Sequence, residues 1–80
     1  MVFCDLLRIE ESVIIYKIGG TSRDLTGELV IRPSDNCSFE LRKEPENSEV
    51  ALRHIEYMIS RHRQEFREGN YPDRMAYQIG

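Results

Sequence analysis

Residues 46–69 read ENSEVALRHIEYMISRHRQEFREG, and their periodicity decides the fold. Leu52, Ile55, Ile59, His62 and Phe66 recur at spacings of three and four, the repeat of one helix face. Asn47 or Ser48 stands where an N-cap belongs, and Glu46 and Glu49 suit the positive end of a helix dipole. Gly69-Asn70 supplies a C-cap, and Pro72 discourages continuation. The pattern predicts one long helix over 46–69.

Upstream the period changes from helical to two. Leu29 and Ile31 alternate with Glu28, Val30 and Arg32, and Phe39 and Leu41 alternate with Ser38, Glu40 and Arg42. Pro33-Ser34-Asp35-Asn36 between them is a turn by composition. These segments read as a hairpin of two strands, Glu28–Arg32 and Cys37–Lys43. Ser12–Ile18 is rich in β-branched and aromatic residues and reads as a strand. Val2–Ile9 fits a short helix through Phe3, Leu6 and Leu7, or a strand face through Val2, Cys4 and Leu6. The strand is preferred because Glu10-Glu11-Ser12 then becomes a tight hairpin connection; one continuous bent strand is the competing reading.

After the helix, Met75, Tyr77 and Ile79 alternate with Arg74, Ala76 and Gln78. Disordered tails rarely carry that pattern. The tail is expected to return as an edge strand or to pair with a second subunit. The expected fold is α+β in one domain: a small antiparallel meander of three to five strands (1–45), one long helix (46–69) packed on it, and a short β-like tail (70–80).

Composition bounds the rest. Eighty residues make a marginal core, burying only about 60–65% of the unfolded chain's surface. Cys4 and Cys37 are too few for a disulfide framework and stand in no zinc-type spacing, so both read as reduced, buried side chains. Small cores without staples often gain stability by self-association, which makes a homodimer the expected state. Val2–Ile18 is broken by Asp5, Arg8, Glu10 and Glu11 and lacks a basic leader, so no signal peptide or membrane span is expected and the expected location is cytoplasmic. Asn36-Cys37-Ser38 matches a glycosylation acceptor only formally. The net charge is −3, and residues 46–80 hold five arginines against six carboxylates. A chain without a basic half has no global field for nucleic acid.

Few motifs carry chemistry. His62 lies on the apolar stripe and can reach Glu65, but His54 is eight residues away and no third ligand is in sight, so no metal, cofactor or catalytic residue is assigned. Gly19-Gly20-Thr21-Ser22-Arg23 could nest an anion, yet it has no P-loop lysine and a strand follows; it reads as a flexible hairpin loop. Arg61, Arg63 and Arg67 with Tyr57 could contact phosphates and stack a base, but Glu65 and Glu68 interrupt them. Tyr16, Tyr57, Tyr71 and Tyr77 suit half-wet interfaces.

The sequence therefore suggests a small non-enzymatic interaction or regulatory module that self-associates or takes a protein partner. Its candidate surface is Tyr57, Arg61, Tyr71, Met75, Tyr77 and Ile79. The alternatives are a nucleic-acid-binding helix face built on Arg61, Arg63 and Arg67, and a small enzyme with a site at a dimer interface around His62 and one cysteine.

Overall fold

The computed structural model describes residues 1–78, so Ile79 of the candidate surface lies outside the described residues. The chain forms β1 (Val2–Glu10), β2 (Val13–Gly19), β3 (Gly27–Arg32), β4 (Ser38–Lys43), α1 (Leu52–Arg61), α2 (Arg63–Arg67) and β5 (Arg74–Tyr77). The strands make a single antiparallel sheet in the order β4-β3-β2-β1-β5. The first four are a meander, and β5 returns beside β1, as an edge strand. No helix of the described residues is long and apolar enough to cross a membrane.

Period-two patterning places Val2, Cys4, Ile14, Tyr16, Ile18, Leu29, Ile31 and Met75 on one buried face, with Leu6, Phe39 and Leu41 packed around them. Ile55, Met58, Ile59 and Phe66 close that face from above. Tyr16, wholly buried, donates its hydroxyl proton to the Pro72 carbonyl at 2.8 Å, tying the chain after α2 to the middle of the sheet. Burial pushes this phenol well above its usual range, so it stays a donor.

Ile15 and Val30 are also fully buried, on the opposite face. There the cross-strand row runs Glu40, Val30, Ile15, Arg8, and the Arg32–Glu40 and Arg42–Glu28 ion pairs lie beside it. Long charged side chains cover apolar surface with their stems while their heads stay wet.

The expectation of one long helix over 46–69 is corrected. Residues 46–51 are not helical, and the helix breaks at His62, leaving runs of ten and five residues in mid-chain. The residue at the N-cap of α1 is Ala51, with no side-chain cap, and neither Asn47 nor Ser48 serves. Both are held by Asp24 instead: its carboxylate accepts from the Asn47 N–H at 3.0 Å and from the Ser48 hydroxyl at 2.5 Å. Leu52, assigned to the buried stripe, is 60% exposed, and Met58, which was not in it, is fully buried.

Gly19–Arg23, expected to be a flexible hairpin loop, belongs to a packed joint. A Cβ on Gly19 would sit 1.8 Å from the Asp24 carbonyl oxygen, and one on Gly20 would sit 2.5 Å from that of Glu49. The Gly20 N–H donates to Ser48 Oγ at 2.9 Å, Thr26 Oγ1 donates to Asp24 at 2.8 Å, and the Glu46 N–H donates to Thr26 Oγ1 at 2.7 Å. These bonds dock the β4–α1 connector onto the β2–β3 loop and so fix where α1 begins.

Candidate functional site

The candidate surface is built around Tyr77. On β5, Tyr77 pairs with Val2 and points its ring to the helix side of the sheet. On α1, His54, Tyr57 and Arg61 follow at i, i+3 and i+7, which puts them on one helix face. That face meets the Tyr77 ring. The His54 and Tyr57 rings lie 5.4 and 5.7 Å from it, tilted by 37° and 49°, and the Arg61 guanidinium carbon lies 4.9 Å from its centroid. These are ordinary aromatic and cation–π separations. Burial, helped by the nearby Met1 amine and Arg53, pushes the His54 imidazole below the usual histidine range, which favours its neutral form. Tyr57 remains half exposed.

The structure thus brings Tyr57, Arg61 and Tyr77 together and adds His54, which sequence reasoning missed. The signal for His54 was its spacing to Tyr57 and Arg61. The two other described candidates go elsewhere: Met75 is buried in the core, and Tyr71 packs on Phe66 with ring centroids 6.0 Å apart.

Beside this patch the β5 edge is open. Leu6 donates its N–H to the Asp73 carbonyl at 2.8 Å, and the register places Cys4 opposite Met75 and Val2 opposite Tyr77. Antiparallel ladders alternate hydrogen-bonded and non-bonded pairs. Asp73, Met75 and Tyr77 therefore turn their backbone groups toward β1, and Arg74 and Ala76 turn theirs away from the sheet. Both are exposed, the Arg74 side chain by 87%. The side chains of Arg74 and Ala76 lie on the face opposite the helices. There a hollow of about 430 Å³ opens between them, Phe3 and Asp5 of β1, and Ser22 and Leu25 of the β2–β3 loop. Asp5 and Arg74 pair loosely across it at 3.8 Å.

The far edge, β4, is different. It carries Glu40, Arg42 and Lys43, whose ion pairs run to Arg32, Glu28 and Glu46. Charged edges of this kind discourage strand addition.

The remaining groups do not converge. His62 Nδ1 lies 2.7 Å from Glu65 Oε1 at the break between α1 and α2. No three His, Cys, Asp or Glu side chains among the described residues are placed to hold a metal. Cys4 and Cys37 are both free and buried; burial, reinforced by Asp5, pushes the Cys4 thiol far up, the reverse of what a nucleophile needs. Arg61 reaches Tyr77 beside β5, whereas Arg63 reaches Asn36 in the β3–β4 turn, so the two arginines point to opposite ends of the sheet. A depression of about 620 Å³ is walled by the β4–α1 connector alone, Glu44–Val50.

No protein-family model, curated protein or solved structure matches this chain.

Proposed function

We propose that the protein is a small non-enzymatic interaction module that captures an extended segment on the free edge of β5. One observation carries the reading: among the described residues, Arg74 and Ala76 present unpaired backbone donors and acceptors next to an exposed aromatic and cationic patch. Strand addition supplies affinity through main-chain bonds and specificity through alternate side chains. Tyrosine and arginine are the residue types that interfaces enrich. Self-association is one form the contact can take, since a second copy's β5 would continue the sheet across the joint.

The test is Ala76→Pro. Proline removes the outward N–H of Ala76 and leaves the bonds of Met75 and Tyr77 to β1 intact. The expected outcome is that the parent protein forms a dimer by light scattering or retains a defined partner, and that the variant loses either contact while keeping its circular dichroism. A parent that is strictly monomeric and retains nothing would sink the reading.

A further inference from the structure

We infer that the tip of the β1–β2 hairpin is a self-recognition edge, on which a second copy of this chain pairs antiparallel through its own β1, centred on Ile9. The contact lies apart from the β5 edge and goes beyond the reading given to it, leaving β5 for a different partner.

Register supplies the open backbone. β1 is nine residues long, but β5 pairs only with Val2–Asp5, and the next bond between them runs from the Leu6 N–H to the Asp73 carbonyl. A bulge between Leu6 and Arg8 follows, where pairing with β5 stops. Beyond it, among the described residues, no strand pairs with Leu7–Glu10 on the side away from β2. Glu10 and Val13 flank the two-residue turn and form its hydrogen-bonded pair, so Ile9, opposite Ile14, belongs to a non-bonded pair. Ile9 therefore turns both its N–H and its C=O outward. Two copies related by a two-fold axis at Ile9 exchange both bonds.

Side chains supply the fit on both faces. Ile9 begins a row that runs through Ile14 and Ile31 to Phe39 on the helix side of the sheet. It is 53% exposed, and Leu7 beside it is 39% exposed. Ile9 of the second copy continues that apolar row across the contact. On the other face stand Arg8 and Glu10, which already pair with each other within the chain. Directly opposite residues share a face. Centring on Ile9 sets Arg8 against Glu10 of the second copy, and Glu10 against its Arg8, so four charges alternate around a square. Such a pattern is self-complementary, as a two-fold contact requires. A shift of one residue either way sets Ile9 against Arg8 or Glu10 and forfeits both the row and the square, which fixes the register. Glu11 falls at the two outer ends, opposite Leu7, where solvent screens it.

The experiment is sedimentation of the full chain from micromolar to millimolar concentration, with circular dichroism on each variant. A strand contact this short is weak, so the parent is expected to pass from monomer to dimer across that range. Arg8→Glu leaves only acids at the four positions, and Glu10→Arg leaves only arginines. Both side chains are about half exposed, so each variant is expected to keep its fold. Each is expected to weaken the dimer at least about tenfold. Mixed together, the two variants complement one another and are expected to form a heterodimer. The double exchange Arg8→Glu/Glu10→Arg is expected to regain the parent's affinity. Ala76→Pro, outside this contact, is expected to dimerise as the parent does. A parent that stays monomeric throughout would overturn the inference, as would a dimer that neither single change weakens, or single variants that do not recover on mixing. A dimer lost in Ala76→Pro but kept by Arg8→Glu would also overturn it, and would assign self-association to β5. The β5 reading is decided separately, by whether Ala76→Pro loses a retained partner.

Discussion

At the scale of single residues, Asp24 does more for this fold than its sequence context announces. It is 6% exposed and accepts from Thr26, Asn47 and Ser48. The Ser48 hydroxyl, ahead of the other donors, holds its carboxyl below the usual carboxylate range. The sign follows from linkage: a depressed folded pKa stabilises the native state above the unfolded Asp value, about 3.9, and that contribution is lost as pH falls through the lower folded value. Asp24→Asn exchanges one acceptor oxygen for an amide donor facing donors already in place. The variant is expected to melt below the parent at pH 7, and the gap is expected to narrow as the pH drops below about 4. An equal gap at pH 7 and pH 3 would show that the charge contributes nothing. Glu11 offers the opposite case. It holds φ 48 in the two-residue β1–β2 turn, a conformation glycine adopts without penalty. Glu11→Gly is expected to raise stability by about 0.5–1 kcal/mol in urea titrations.

At the scale of elements, the strands were legible and the helix only partly so. Val13–Ile18, Leu29/Ile31 and Phe39/Leu41 declare their faces because a period of two has one solution once a face is buried. The alternation of Met75 and Tyr77 likewise gave β5 from sequence. The helix signal gave the region but not the limits. Val50 and Leu52 extend the apolar run in sequence, yet Asp24 claims Asn47 and Ser48 from 23 and 24 residues upstream, a tertiary competition that local capping rules do not register. The Gly19-Gly20 joint was misread for the same reason, since a glycine required by close approach looks in sequence like one required by flexibility. The edge patch was legible as tyrosine and arginine content, but the hollow was not, because it joins β1, β5 and a distant loop. The boundary makes a prediction. Ile55→Ala is expected to cost about 2–5 kcal/mol, whereas Leu52→Ala, in the same sequence stripe, is expected to stay within about 0.5 kcal/mol. Ala51→Ser, at the uncapped start of α1, is expected to gain about 0.5–1 kcal/mol. Thermal melts of the three variants check all of it, and an Ile55→Ala protein that melts with the parent would remove α1 from the core.

At the scale of the whole molecule, β5 has two duties that a single deletion cannot separate. It offers the open edge, and it also shields β1 and contributes Met75, 4% exposed, to the core. Cutting the chain after Asp73 would uncover Val2 and Cys4 along with the edge, at a cost of at least about 2 kcal/mol from the apolar burial of Met75 alone. In so small a domain that is a large share of total stability. A truncated protein that loses a partner would therefore have lost its fold as readily as its contact surface, and point changes that keep the β1 ladder are the informative ones. The two duties alternate along the strand, which gives a direct measurement on the free protein. Native-state amide exchange is expected to be slowest in β2 and β3, which have a neighbour on each side, and to alternate in β5: Met75 and Tyr77 protected by β1, Arg74 and Ala76 exchanging nearly as fast as an unstructured peptide. Adding an occupant to the edge should slow Arg74 and Ala76 and leave Met75 and Tyr77 unchanged, because only the outward groups gain partners. If all four amides are already slow in the free monomer, the edge is covered by the chain itself and is not available to a partner.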